Sequence, residues 1–493
     1  MMKFCRLKNK MRRLILTLLL SCLCASAFSK QESGVNFLRD FNSPALNNAV
    51  YSVYAKYVGG KDIIKKEENI LLVPASVLKL FTTASALEIL GSDTTFETDV
   101  YLDGKIDGKI LEGDIYLLGA GDPSLGSQDF KDKPSYIDLF SSWAKALKDK
   151  GIKQIKGNIY ADNSLFSGMQ LPWRASFKNI GNYFAPKADA LSIASNKYKI
   201  VFPPVKADQK NIMPIIAEPQ IKGLEFKSEV YASTEVKRED VYATFEPASN
   251  IINLNGVLPV SKEKTTIYAA LPNPAQFAAE SFLESLQNAG IKVSGKAAVK
   301  KGENYSGKEL LFTHISLPIR DIVKHTNKRS DNLYAEVLLR DISAYSGGEG
   351  SAKDGLAKMK DTLINFGILE EDFDIYDGSG LSYSSNVSCR ATITLLEQIL
   401  EKPYAQDFKD SLVIAGNPAE KGFFGGRVAK KSFAGKTLLK TGLLDRARTV
   451  AGYTKDKNGR EIVFCFFINN FKAKGKDLTE LQDEFLDYLA THN

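Results

Sequence analysis

Three short groups of residues have the types and spacing to carry out acyl transfer. The first is Ser76 with Lys79, in Pro74-Ala75-Ser76-Val77-Leu78-Lys79-Leu80-Phe81-Thr82-Thr83-Ala84. Apolar residues recur at Val77, Leu80, Ala84, Leu87 and Leu90, the spacing of a buried helix, and Gly91 ends the run. Pro74 stands just before the first turn, where a missing N–H costs nothing. Ser76 therefore falls at a helix N-terminus, where free N–H groups and the dipole favour an anion. Lys79 follows three residues on, along the same face. A hydroxyl with an amine beside it is a candidate nucleophile with its own base. Burial lowers a lysine pKa, and a neutral lysine can take the serine proton.

Alone, that pair is weak: Ser-x-x-Lys recurs at Ser142–Lys145 and Ser261–Lys264, and most serines at helix starts are caps. Two further groups raise it. Ser330-Asp331-Asn332 lies at the expected start of a helix, and Lys440-Thr441-Gly442, the one Lys-Thr-Gly of the chain, at the end of an expected strand. Each has a bland reading, as a cap or a solvated strand end, and Ser384-Ser385-Asn386 is a second Ser-x-Asn. Their order, each in the right kind of element, is far less probable by chance. The chemistry is coherent. Ser76 would attack a carbonyl and form an acyl-enzyme, with Lys79 accepting its proton. Ser330 and Lys440 could pass a proton to the leaving amine. Asn332 could hold a substrate amide and Lys79. Lys440 and Thr441 offer charge and a hydroxyl to a terminal carboxylate. Gly442 would let an extended substrate lie along the strand edge. The N–H groups of Ser76 and Leu444 would form the oxyanion hole.

The elements that must position these groups read as follows. Ala49 to Val58 is strand-like, the charged stretch Lys61 to Glu68 leads to a short strand Ile70–Val73, and the Ser76 helix follows. Phe96 to Gly121 reads as short strands punctuated by Asp103-Gly104, Asp107-Gly108 and Gly113. A helix over Tyr136–Lys148 interrupts β-type sequence that runs to about Val260. Residues 95–260 are thus expected to be inserted, β-rich material, in two small domains. Mixed α/β sequence returns at Thr265, with a strand Thr266–Ala269 and helices at Pro274–Ala289, from Pro318 and from Ser330. Strands Thr437–Lys440, Arg448–Thr454 and Glu461–Asn469 come next, the last two joined by the turn Lys457-Asn458-Gly459, before a final helix Asp477–Thr491. The fold class expected is mixed α/β (α+β), with residues 28–94 and 261–493 building the catalytic part.

Composition bounds the rest. The 493 residues are 44% hydrophobic and 25% charged, in the globular range. The formal charge of +7 falls to +1 once residues 1–27 are set aside, since they hold six basic residues and no acid. Nothing argues for nucleic acid. That basic start, the apolar run Leu14–Leu20 and Ala25-Ser26-Ala27 form a secretory signal peptide, with cleavage expected after Ala27 and a secreted or periplasmic location. Leu19-Leu20-Ser21-Cys22 loosely resembles a lipoprotein site, so lipidation at Cys22 is the alternative. No membrane span is expected in the mature chain, and a homo-oligomer is left open. Three of the five cysteines lie in the leader; Cys389 and Cys465 remain, and nothing in the sequence shows whether they pair. With three histidines, no Gly-x-Ser-x-Gly, no His-Glu-x-x-His and no paired Cys-x-x-Cys, a Ser-His-Asp hydrolase is disfavoured and no metal or other cofactor is expected. Gly119-Ala120-Gly121 is not a dinucleotide fingerprint, because Asp122-Pro123 deny the helix start.

The whole set resembles the low-molecular-mass class C penicillin-binding proteins, the D-alanyl-D-alanine carboxypeptidase/endopeptidase family S13. The resemblance covers nearly all of the mature chain. It is carried by Pro74-Ala75-Ser76 with Lys79-Leu80-Phe81-Thr82, Gly119-x-Gly121-Asp122-Pro123-Ser124-Leu125, Gly157-x-Ile159-x-x-Asp162, Asp377-Gly378-Ser379-Gly380-Leu381-Ser382, and Lys440-Thr441-Gly442 through Ala451-Gly452-Tyr453. The 254-residue interval from Ser76 to Ser330 is its most discriminating feature, since simple β-lactamases are much shorter there. The resemblance implies a serine β-lactamase/transpeptidase-like domain carrying inserts. It implies peptidoglycan stem peptides and β-lactams as partners, and a contribution of Asp162 to the side-chain pocket. Tyr383 stands where many relatives carry arginine, which leaves the preference for the peptide side chain open. A β-lactamase, and a silent module that binds cell-wall peptide or senses penicillin, are the alternative readings.

Overall fold

The structure, a computed structural model, describes residues 43–172, 174–245, 250–420 and 428–492. The expected signal peptide, its cleavage site and Cys22 lie outside the described residues.

The element that everything else leans on is an antiparallel sheet built from both ends of the chain. It comprises β1 (Val50–Tyr57), β2 (Asp62–Lys66), β3 (Leu438–Leu444), β4 (Ala447–Lys455) and β5 (Glu461–Asn469). The order is β3-β4-β5-β1-β2, with the short strand Val413–Ile414 on the outer edge of β3. β5 explains the arrangement. Its unbroken apolar run cannot face water on either side, so both faces must be covered. Ile462, Phe464, Phe466 and Ile468 point to one core with Leu478, Phe485 and Leu489 of the final helix Gly475–Thr491. Val463, Cys465 and Phe467 point to the other, with the helices that carry the reactive groups. β2 occupies the charged stretch 61–68, with Ile64 buried and Asp62 and Lys65 exposed, a composition suited to a sheet edge. The strand expected over Ile70–Val73 is reduced to one bridge, Leu72 to Val387.

The helix Cys389–Leu400 covers that second face, and the same core takes in α1 (Lys79–Leu90), α2 (Ile319–Arg329) and α3 (Asn332–Ala344). α1 ends at Gly91 (φ 86°), as the sequence predicted. α2 and α3 are joined by Ser330 in the left-handed region (φ 56°, ψ 37°) and Asp331. Asp331, not Ser330, caps α3: its carboxylate accepts from the N–H groups of Leu333 and Tyr334.

The chain between α1 and α2 forms further sheets, and here the expected boundary moves. The hairpin Glu97–Asp107/Ile110–Leu118 turns only at Gly108-Lys109. Gly104 and Gly113 are not turns. They face each other across the ladder, where a Cβ on either would come within 2.7 Å of the other's Cα. Glu309–Ile315 pairs with this hairpin at Glu97–Leu102, and Thr265–Ala270 pairs with Lys197–Phe202. The helix Pro274–Asn288 shares a core with Tyr136–Asp149 through Phe282, Phe140 and Trp143. A boundary at 260/261 would cut through these ladders; the chain rejoins the first unit only near Ser316. An α/β pattern marks element type, not the sheet that receives it. One contiguous core also runs through these sheets. Departure and return lie side by side: Ile319 N donates to Thr94 O at 2.9 Å, and Ser316 N to Phe96 O at 3.0 Å. That closure lets α1 pack on α3 across the long interval.

Candidate active site

Ser76 lies in a 3-10 turn, Ala75–Leu78, that runs directly into α1. Ala75, just before it, is held at φ 47°, an uncommon conformation for a side chain with a Cβ. The segment is fixed from three sides. Thr449 Oγ1 on β4 donates to Pro74 O at 2.6 Å. Gly380 packs so closely that a Cβ there would lie 1.9 Å from Ala75 O. Gly442 on β3 abuts the turn itself, since a Cβ there would be 2.9 Å from Ser76 N.

Lys79 is fully buried, and its ammonium meets three acceptors: Ser76 Oγ at 2.9 Å, Asn332 Oδ1 at 2.6 Å and Ser379 O at 2.7 Å. Burial pushes its pKa down to about 8 against the opposing pull of Asp377, Asp331 and Glu336. Lys440, on β3 and also buried, donates to Ser330 Oγ at 2.8 Å and to Thr441 O at 2.7 Å. Burial, together with the nearby Lys79 charge, holds it well below the usual lysine range. Asn332 Nδ2 donates to Phe184 O at 2.6 Å, which ties the wall of the site to the inserted chain. Two amine–hydroxyl pairs, Lys79–Ser76 and Lys440–Ser330, thus share one cleft between α1, α3 and the edge of β3.

Of the residues singled out from sequence, Ser76, Lys79, Ser330, Asn332, Lys440, Thr441 and Gly442 come together, with Leu444 two residues further along β3. Asp162 does not join them. It ends the strand Ile159–Asp162, is fully buried, and accepts from Ser164 N (2.9 Å), Glu303 N (3.2 Å) and Tyr305 OH (2.9 Å). All three partners lie in the inserted chain. Tyr383 lies beside the β3–β4 turn, where its hydroxyl accepts from Asp445 N at 3.3 Å, and Asp445 in turn pairs with Lys178 at 2.7 Å. Cys389 and Cys465 are buried free thiols.

Two carboxylates had no role in the sequence reading, Asp377 although it stands in a quoted motif and Glu336 altogether. Asp377 accepts from Ser385 Oγ at 2.6 Å and Ser382 N at 2.9 Å, and so shapes the loop that approaches Lys79. Glu336 is buried on α3, one turn beyond Asn332. The signal was present: a glutamate four residues after Asn332 shares its face, and that face points inward. Missed too was a trio of possible cation ligands, Asp129, His325 and Asp331. His325 Nε2 is 3.5 Å from Asp331 Oδ2. Lys197 Nζ already sits 2.9 and 3.1 Å from the Asp129 oxygens, so an ammonium holds the place a metal would need.

A sheet flanked by helices, with a serine–lysine pair at the start of the central helix, defines the serine β-lactamase/transpeptidase-like class of protein. The model of the D-Ala-D-Ala carboxypeptidase 3 (S13) family matches residues 38–491, and the chain belongs to that family. The D-alanyl-D-alanine carboxypeptidase of Actinomadura sp. (strain R39) is 26% identical over 468 residues, covering 91% of this chain and 82% of that protein. The D-alanyl-D-alanine carboxypeptidase DacB of Haemophilus influenzae is 26% identical over 410 residues, covering 82% and 81%. The crystal structure of Haemophilus influenzae penicillin binding protein 4 (dacB) superposes with a TM-score of 0.79 at 24% identity, over 90% of this chain and 97% of that one. Among the described residues, no helix is long and apolar enough to cross a membrane.

Proposed function

We propose that the protein is a serine-type D-alanyl-D-alanine carboxypeptidase/endopeptidase that acts on peptidoglycan stem peptides and cross-links through an acyl-enzyme on Ser76. The observation that carries this is the pair of contacts at one cleft, Lys79 Nζ to Ser76 Oγ at 2.9 Å and Lys440 Nζ to Ser330 Oγ at 2.8 Å.

Neutral Lys79 takes the Ser76 proton as Oγ attacks the carbonyl of the penultimate D-alanine. The oxyanion sits against the N–H of Ser76 and that of Leu444. Collapse expels an amine, which must leave protonated, and Ser330 with Lys440 delivers that proton. Water then hydrolyses the ester and restores Ser76. The terminal carboxylate of a substrate lies against Lys440 and Thr441. Its negative charge favours the charged form of Lys440, and a charge there favours neutral Lys79 by repulsion. Binding and activation of the base are linked in this way. The same leaving-amine chemistry serves a free D-alanine or a cross-linked peptide. A β-lactam would acylate Ser76 through its strained amide. The site of action is extracytoplasmic, in keeping with the basic, apolar and Ala-x-Ala start of the chain and with such a substrate. Residues 97–315 are read as one inserted unit that contributes Phe184 and Lys178 to the cleft's surroundings.

The test is the intact mass of the mature protein over hours with penicillin, beside Ser76→Ala. A lasting adduct on the wild type alone supports the assignment, and a synthetic stem pentapeptide then reports the bond cut. Labelling of Ser76→Ala as well would remove Ser76 as nucleophile. Rapid destruction of penicillin without a lasting adduct would mean a β-lactamase, and no adduct with penicillin intact would mean a silent binding module.

A further inference from the structure

Glu336 has no part in the chemistry above, yet it reaches Lys79 through two peptide units. Its Oε1 accepts from Gly378 N at 3.0 Å and Ser379 N at 2.9 Å. The carbonyls that follow each of those N–H groups meet α1: Gly378 O accepts from Thr82 Oγ1 at 2.7 Å, and Ser379 O from Lys79 Nζ at 2.7 Å. In a trans peptide the N–H and C=O point in opposite directions. Holding the Ser379 N–H on one side therefore aims the Gly378 carbonyl at α1 on the other. The next peptide, carrying Ser379 O, is confined by Gly380, which packs against Ala75. A single carboxylate oxygen on α3 thus pins the N–H of Ser379, the residue whose own carbonyl grips the amine.

We propose that Glu336 is a positioning residue for Lys79, clamping the Gly378–Ser379 peptides so that the amine is held at Ser76, and that the negative charge of this clamp is part of the site's electrostatics. The inference rests on the assignment of Ser76 and Lys79 made above. Glu336 Oε2 makes no hydrogen bond, and its nearest cation is Arg340 Nη1 at 3.8 Å, on the same helix. The other charged groups bearing on Glu336 and Lys79 are Asp377 on the loop, Asp331 at the start of α3 and Lys440 on β3. Burial and the Asp377 charge raise the Glu336 carboxyl to about 7, against the pull of Arg340. When ionised, Glu336 favours the charged form of Lys79. It holds the amine in place at the cost of a higher proton affinity.

Two substitutions separate the clamp from its charge. Glu336→Gln keeps an oxygen that can accept from both N–H groups and removes the charge. Glu336→Ala removes both. The measurements are the rate of penicillin acylation from pH 5.5 to 9.5, split into non-covalent affinity and acylation step, with intact mass to confirm the residue labelled and thermal melting to report folding. Glu336→Gln is expected to melt close to the wild type and to shift the acid limb of acylation to lower pH by about half a unit, because Lys79 loses a carboxylate that stabilises its ammonium. Glu336→Ala is expected to slow the acylation step about tenfold or more, with a smaller change in non-covalent affinity, because the amine loses its fixed carbonyl. An acid limb in Glu336→Gln that superposes on the wild type would overturn the electrostatic part. An unchanged acylation step in a folded Glu336→Ala would overturn the clamp. Should Glu336→Ala not fold, Glu336→Asp, whose carboxylate is one methylene shorter and falls short of Gly378 N and Ser379 N, takes its place with the same expected loss in the acylation step and the same refuting result. Wild-type protein that is not acylated, or is acylated elsewhere than Ser76, would instead defeat the underlying assignment and this inference with it.

Discussion

Gly442→Ala is the sharpest test of how β3 and the Ser76 turn work together. A Cβ at Gly442 would lie 2.2 Å from Thr449 Oγ1, 2.5 Å from Pro74 O and 2.9 Å from Ser76 N. The first neighbour has little freedom, because Thr449 is buried and its hydroxyl already donates to Pro74 O. The other two are backbone atoms of the segment that carries Ser76. Ordinary contact begins near 3.4 Å. Strand and turn must therefore part by roughly 1 Å at Pro74. Overpacking of this kind costs about 1–3 kcal/mol. The loss of rate should be larger, since a displacement near 1 Å at the reacting groups costs about 100-fold. Stopped-flow acylation with a fluorescent penicillin, run beside thermal melting, measures both. The expected result is a folded protein with a modestly lower melting temperature and acylation slowed by about two orders of magnitude. Wild-type acylation in a folded Gly442→Ala would refute the reasoning, because it would mean that the close approach of β3 to Ser76 is not needed for the chemistry.

Two other outcomes are expected. Acylation of the wild type should rise with pH: a lysine held near 8 is about one-tenth neutral at pH 7 and about nine-tenths neutral at pH 9, so the rate should grow about tenfold over that interval. A profile that is flat or falls there would exclude Lys79 as the base. Asp162→Ala should leave Ser164 N, Glu303 N and Tyr305 OH without their acceptor; these donors are partly open to water, so the loss is about 0.5–1.5 kcal/mol for each bond. Melting should fall while the acylation rate and the peptide side-chain preference stay as in the wild type; altered preference without lost stability would return Asp162 to the substrate pocket.

Much of the catalytic half was legible in the residues. The helix after Pro74 stops at Gly91, the apolar run of β5 is buried on both faces, and the hairpin turns at Lys457-Asn458-Gly459. These features depend on neighbours within a few residues: side-chain period, a missing N–H, a glycine that accepts positive φ. The three motifs are local as well, and their order along the chain was enough to point to the family that the comparisons show. Where elements begin was less secure: a strand was expected at Ile70–Val73, and Ser330 rather than Asn332 as the start of α3.

What the tertiary structure alone decided are matters of partnership. Ser76 and Ser330 meet because the inserted chain leaves and returns at adjacent points, Thr94 and Ile319, a closure that no local pattern encodes. The strand at Thr265–Ala270 reads the same whichever sheet receives it, and only its ladder to Lys197–Phe202 assigns it to the insert. Asp162 falls within a motif of the family resemblance, yet its bonds go to the inserted sheet. Glu336 carries no motif, yet it sits two hydrogen bonds from the amine of Lys79. The sequence by itself determined which groups could react and which elements would hold them, because those follow from chemistry and short-range backbone preference. Which buried charge faces which amine was settled only when distant segments packed, since burial and hydrogen-bond partners are properties of the assembled core.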